Sequence, residues 1–448
     1  MTRLPPQPQV PLLPGGPLAP VTKQVNRLLN TSQAIQIALI VIFVLPLLAH
    51  LVNMLNIRLM SEAYEGFPAQ LGVGGQIALV SGLLVGGYLV LSWLCWQFAT
   101  VLGLKPARVL ALLGAGLIAW AWVGSLPNAY RVLYYIPQAL ADWVPVLLLA
   151  LQIGFLLMAG QPNRATWAMI GVGVLAVVIG GFGLPTSLLQ IGLALIVLIA
   201  FRSKRLAGIV MLIAAPVAFI AAQLIWNGGF TRPFIDSTLW RLGNAFFGGA
   251  LTWIGQTLAL NAAVPFILSI VLCATAVHLF GPARQSPLPL KQVGLRVIPV
   301  VLVAYLLLHF CFLGAQPLEL HAQAILIGAG LVIGYLIGLS IRKSSTTIQL
   351  SGWVMALVTL LLIAGPIVQA GRTLVESRQM AVYAGEWDAR DQAIREAVAS
   401  GQQTGRVRAL AVEMATFAGL PTDSDLIRQG ELNPIARYYG LSALVLDE

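Results

Sequence analysis

Charge is what this chain has least of, and acidic charge least of all. Of 448 residues, 9% are charged and 58% hydrophobic, and the mean hydropathy is +0.86. A soluble domain carries about a quarter charged residues, so a water-soluble globule is excluded. Only 16 residues are Asp or Glu, and eleven of them follow residue 371. The other five are Glu62, Glu65, Asp142, Asp236 and Glu319. Cysteine is nearly absent: Cys95, Cys273 and Cys311 each lie in an apolar run. An odd count without a CxxC pair excludes a disulfide framework and a thiolate metal site, and leaves buried thiols. Three of the four histidines, His50, His278 and His309, lie inside apolar runs and share no ligand spacing. No GxSxG, Walker loop, HExxH or Rossmann fingerprint stands in a usable context, so nucleotide-driven transport from the cytosol has no support. The net charge of +10 comes from basic residues set in ones to threes between apolar runs. That spacing orients a membrane protein and does not make a basic groove, so no nucleic-acid partner is expected.

What the chain has in abundance is apolar length. A hydrocarbon core about 30 Å thick takes about 20 residues of helix. Residues 1–31, with seven prolines between Pro5 and Pro20 and no apolar h-region, read as a disordered, partly polyproline cytoplasmic tail. Residues 32–370 read as a transmembrane bundle of about eleven spans, near 32–56, 71–104, 109–126, 144–160, 166–182, 186–201, 206–226, 256–282, 293–315, 323–341 and 350–370. The expected class is therefore an all-α polytopic membrane protein.

Orientation follows from the basic residues. Taking alternate connections, fourteen Lys and Arg fall on one side and only Arg58, Arg131, Arg232 and Arg241 on the other. The positive-inside rule puts the N-terminus in the cytoplasm and, with an odd span count, the C-terminus outside. Every carboxylate then lies on the outer side, because one left at mid-bilayer costs about 3 kcal/mol. Glycines at 82 and 86, and at 330, 334 and 338, recur every fourth position and predict close helix packing.

Residues 371–448 read as a small extracytoplasmic α/β lobe. Met380, Tyr383, Trp387, Ile394 and Val398 recur at three- to four-residue steps among charges, which predicts an amphipathic helix over Arg372 to Ser400. A strand is expected over Arg406 to Met414. Asn433–Pro434 reads as an N-cap and first helical position with Gly440 as the stop, and LSALVLDE as a second strand.

The candidate site is the stretch Ile57–Gln70, IRLMSEAYEGFPAQ, between the first two spans. One helical turn would set Arg58, Glu62 and Glu65 on one face. The two carboxylates could serve as a general base toward an acceptor hydroxyl, hold a divalent cation, or simply pair with Arg58. Arg232 and Arg241 flank Asp236 among aromatic residues, and Arg131 stands beside Tyr130, Tyr134 and Tyr135. Both read as interfacial aromatic-belt segments whose guanidinium forks suit a lipid phosphate, with ordinary phospholipid contact as the plainer account. Glu319 with His321 in QPLELHA forms a third outer pair, either a proton-transfer group or a core histidine.

The tail carries a resemblance. The run GEWDARDQAIREAVASG (385–401), with Trp387, Asp388, Arg390 and Asp391, and the run NPIARYYGL (433–441), with Asn433, Tyr438, Tyr439 and Gly440, resemble the C-terminal outer segment of uncharacterised bacterial polytopic proteins grouped with the GT-C glycosyltransferases. The resemblance implies a GT-C-like bundle, a catalytic acid in the first outer loop, a polyprenyl-phosphate sugar donor and no nucleotide sugar at the site. The first loop departs from that class in being about 14 residues long and in carrying SEAYE in place of an Asp-Asp or Asp-Glu pair. In the tail itself, Glu386 with Arg390 and Asp391 with Arg395 also make ordinary one-turn ion pairs. The expected function is transfer of a sugar from the lipid carrier to an acceptor on the outer face of a plasma membrane. Glu62 or Glu65 would be the base, and Arg58, Arg232 and Arg241 the phosphate grip. The competing classes are a lipid or solute transporter or flippase, and a structural membrane subunit.

Overall fold

The computed structural model describes residues 32–56, 58, 67–104, 107–124, 133–134, 136, 139–159, 165–200, 204–226, 263–280, 289–311, 319–343, 352–410 and 434–447. Helix dominates, as an apolar chain in lipid requires, because only internal pairing satisfies the backbone there. The helix α1 comprises Ser32–Leu39, a π-helical turn Ile40–Val44, and Leu45–Met54. It is followed by α2 (Phe67–Val101), α3 (Ala107–Gly124), and α4, made of the π turn Ala139–Trp143 and Val144–Met158. Then come α5 (Ala165–Gly180), α6 (Leu184–Ala200), α7 (Arg205–Trp226) and α8 (Ala263–Phe280). The last long helices are α9 (Leu290–Cys311), α10 (Glu319–Lys343) and α11 (Gly352–Ala399). A short β1 (Thr404–Arg408), α12 (Pro434–Tyr439) and β2 (Ala443–Asp447) complete the chain.

Among the described residues six helices are long and apolar enough to cross a membrane: Gln36–Met54, Gln70–Val101, Ala139–Met158, Arg205–Ile225, Lys291–His309 and Leu320–Ile341. Four further apolar helices, Ala107–Val123, Ala165–Gly180, Leu184–Ile199 and Ala263–His278, are shorter. The protein is thus of the all-α, membrane-spanning kind.

Side chains at the contacts fix how the helices pack. From α3 a circuit runs through α2, α4, α5, α7, α6, α9, α10 and α8 and closes on α3, with α1 and α11 laid against α3. The glycine stripe on α10 explains its tightest joint. A Cβ on Gly330, Gly334 or Gly338 would come 2.8, 2.4 and 2.9 Å from the carbonyl oxygens of Phe266, Ile270 and Ala274 on α8. Only glycine permits that approach, and the rising register on both helices makes the pair parallel. Gly82 and Gly86 behave differently, since a Cβ there meets no described atom within 4 Å. Four-residue spacing therefore marks a joint only where a second backbone lies opposite.

Helix ends follow local chemistry. At Gly103, Gly401 and Gly440, φ is +69°, +74° and +74°. Backbone bonds run from Leu104 N to Ala99 O, Gln402 N to Ala397 O and Leu441 N to Ala436 O, the closure of a left-handed C-cap that glycine adopts without penalty. Gly440 is thus the stop that its sequence predicts, and Pro434 opens the same helix.

The described part of residues 371–448 holds helix and two short strands, and it is not set off from the bundle. The last apolar run and the amphipathic helix are one 48-residue helix, about 72 Å long, so the boundary expected at 370/371 falls inside α11. Its inner face, Ala370, Thr373, Met380, Tyr383, Trp387, Arg390 and Ile394, is buried. One hydrophobic cluster joins Met54, Leu84 and Trp143 of the bundle to Met380, Tyr383, Trp387, Val407, Ile435 and Leu444. β1 is shorter than the expected 406–414 and pairs in parallel with β2, Thr404 opposite Ala443 through Arg408 opposite Asp447. A parallel pair needs a crossover, and the segment containing α12 supplies it.

Candidate functional site

The site is assembled where α1 ends, at the mouth of the bundle beneath the lobe. Arg58, just past α1, donates from Nε to Asp388 Oδ1 at 2.7 Å and from Nη2 to Asp388 Oδ2 at 2.8 Å, and reaches back to the Leu55 carbonyl at 3.3 Å. The planar fork meets the carboxylate edge-on, the strongest arrangement open to these two groups. The Arg58 guanidinium holds the Asp388 carboxyl below the usual carboxylate range, and the hydrogen bond to Asp388 raises Arg58 in return. The start of the first loop is thereby fastened to the helix that carries the WDARD sequence, 330 positions away in the chain.

The second acid of that sequence also holds a partner. The Tyr439 hydroxyl donates to Asp391 Oδ1, and Arg395 Nε donates to Asp391 Oδ2 at 2.8 Å. Burial, then the hydrogen bond to Asp391, pushes the Tyr439 phenol up. Arg395 lies 5.7 Å over the Tyr439 ring. Arg390 turns inward, 6% exposed, and donates from Nη2 to the Arg408 carbonyl at 2.7 Å. Each charged residue of WDARD thus binds a different element: Asp388 the first loop, Arg390 the end of β1, Asp391 the YYG helix. The expected one-turn pair Asp391–Arg395 is present.

Directly below lies a polar cluster that the sequence reading passed over. His50 Nδ1 and the Tyr134 hydroxyl are 2.8 Å apart, and the two residues are 5% and 3% exposed. Asn53, one turn along α1, is fully buried beside the Tyr134 side chain. The Glu376 carboxylate of α11 accepts from Arg372 Nε at 2.8 Å. Taken as merely apolar, the end of α1 hides two polar residues three apart in AHLVNM. That i,i+3 pair was the available signal.

Of the residues expected to form the site, Arg58 is placed as above. Glu62, Glu65, Arg131, Arg232, Asp236 and Arg241 lie outside the described residues. Glu319 is the first residue of α10, with its side chain outside the described set. His321 is 2% exposed, and neither ring nitrogen has a partner among the described residues. It is therefore a residue of the packed interior and not an accessible partner on the surface. Among the described residues no three His, Cys, Asp or Glu converge to hold a metal ion. No family model, curated protein or solved structure matches the chain.

Proposed function

We propose that this protein is a membrane transferase of the GT-C kind. It crosses a plasma membrane about eleven times, with its N-terminus in the cytoplasm and its lobe outside. It moves a sugar from a polyprenyl phosphate to an acceptor hydroxyl at the outer face. What supports the reading is the Arg58–Asp388 fork, which joins Arg58, four positions before Glu62 in the sequence, to the helix bearing the GT-C-like motif.

In this mechanism Glu62 or Glu65 takes the proton of the acceptor hydroxyl as its oxygen attacks the anomeric carbon. The bond to the carrier phosphate breaks, and Arg232 and Arg241, with Arg131 beside them, offset the charge on the leaving phosphate. Arg58, with its fork engaged by Asp388, positions the loop and leaves the phosphate to the other arginines. A divalent cation between the two glutamates would serve the same end.

The test is replacement of both glutamates by glutamine, with transfer followed from a radiolabelled lipid-linked sugar. Transfer should disappear while the variant still inserts and keeps its elution profile. Unchanged transfer removes the mechanism, and the absence of any polyprenyl phosphate from the lipids of the purified protein removes the function. A flippase is the second reading, favoured by the buried Gln190 Nε2–Gln152 Oε1 bond of 3.3 Å between α6 and α4, a polar contact inside apolar helices.

A further inference from the structure

We infer that α5, α6 and α7 move as one unit against α4, and that the Gln152 side chain is the latch that holds the unit in either of two settings. The inference does not rest on sugar transfer and stands if that reading fails.

The joints between helices place the boundary. α5 and α7 meet backbone to backbone, since a Cβ on Gly180 would lie 2.5 Å from the Ala215 carbonyl oxygen. α6 and α7 are nearly as close, with a Cβ on Gly208 lying 2.7 Å from the Leu198 side chain and 3.1 Å from the Ala194 carbonyl oxygen. Val172, Ala176, Ala194, Val197, Ala207 and Met211 fill the space between the three. Joints interlocked in this way do not slide, so the three helices form a rigid unit. α4 is locked in turn to α2, where Trp93 closes on Gly154 and Trp143 on Gly87. Between α4 and the unit the packing is smoother: Leu156 joins the unit's cluster, and the flat Phe155 ring lies on Gly171.

At that boundary one donor faces two acceptors on the unit. Gln152 and Gln190 are both fully buried. Gln152 Nε2 donates to the Val172 carbonyl of α5 at 3.2 Å, and Gln152 Oε1 accepts from Gln190 Nε2 of α6 at 3.3 Å. Gln190 Oε1 has no partner among the described residues, and a buried acceptor left unmet is costly. It belongs to the amide that Gln152 already holds. A small shift of the unit along α4 therefore lets Gln152 Nε2 leave Val172 for Gln190 Oε1 and close a reciprocal amide pair. The Val172 carbonyl keeps its helical bond within α5. One hydrogen bond replaces another, so the two settings lie close in energy and the Gln152 amide selects between them. Lys204, which donates to the Leu156 carbonyl at the end of α4, follows the shift on its flexible stem.

The test is fluorine NMR of the full-length protein in nanodiscs, with Cys95, Cys273 and Cys311 changed to alanine and a trifluoromethyl tag on Trp167→Cys. Trp167 is 76% exposed on α5, and a tag on Leu295→Cys of α9, where Leu295 is 62% exposed, serves as the reference. The expected result is two exchanging signals from α5 and one from α9. Gln190→Met removes the second acceptor and should shift the ratio of the two α5 signals about tenfold toward one of them. Gln190→Asn, which keeps an amide but draws its oxygen back, should shift the ratio in the same direction and serves if the methionine variant does not fold. Gln152→Met removes the latch, and the two signals should merge. A single α5 signal in the protein with both glutamines intact, or a ratio that neither change at Gln190 moves, overturns the inference.

Discussion

If the Arg58–Asp388 fork couples the first loop to the lobe, cutting it from either side should loosen the same junction. The pair has two hydrogen bonds of 2.7 and 2.8 Å, and its side chains are 15% and 56% exposed. The exposed carboxylate discounts the electrostatic gain, so a coupling energy of about 1 kcal/mol is the reasonable magnitude, at the upper end for partly exposed pairs because both prongs are engaged. That corresponds to about a fivefold change in the local opening equilibrium. Arg58→Gln, Asp388→Asn and the double variant form a cycle, read by hydrogen exchange at Leu55–Asn56 and along the 380s of α11. Each single change should raise exchange, and the double should raise it by less than the product of the two. Strictly additive effects, with coupling under about 0.3 kcal/mol, would refute the reasoning. The pH dependence has a definite sign. Asp388 is depressed in the folded state, so the pair's contribution is complete above the unfolded carboxyl range and is lost as pH falls through the lower folded value. Protection factors, corrected for the intrinsic pH dependence of exchange, should therefore be flat from neutral pH down to about 4 and fall only below it.

Two helix glycines of α10 should respond oppositely to the same change. Gly334→Ala puts a methyl 2.4 Å from the Ile270 carbonyl and should cost about 1–3 kcal/mol, seen as a lower melting temperature in detergent. Gly328→Ala, which meets no described atom within 4 Å, should raise it through the about 0.5–1 kcal/mol advantage of alanine in a helix. Tyr439→Phe should cost about 1 kcal/mol by removing the hydroxyl that Asp391 accepts, with faster exchange in α12 and none of that change in α5. An unchanged α12 would mean that the WDARD–YYG contact contributes nothing to holding the lobe.

The amino-acid sequence by itself determined the membrane class, the places of the long helices, the glycine joint on α10 and the helix stop at Gly440. Each of these depends on hydropathy, period or a single residue's backbone freedom, which are local properties. The continuity of α11 was not legible, because a change from apolar to amphipathic composition looks like a boundary even where no residue breaks the helix. Nor could spacing tell that Arg58 is bound to Asp388 in place of the nearby glutamates, or that His50 lies against Tyr134, 84 positions away. Such partners are chosen by which helices lie side by side, and that choice belongs to the packing of the whole bundle. A pattern along one helix says which face is buried, but only tertiary contact says against what.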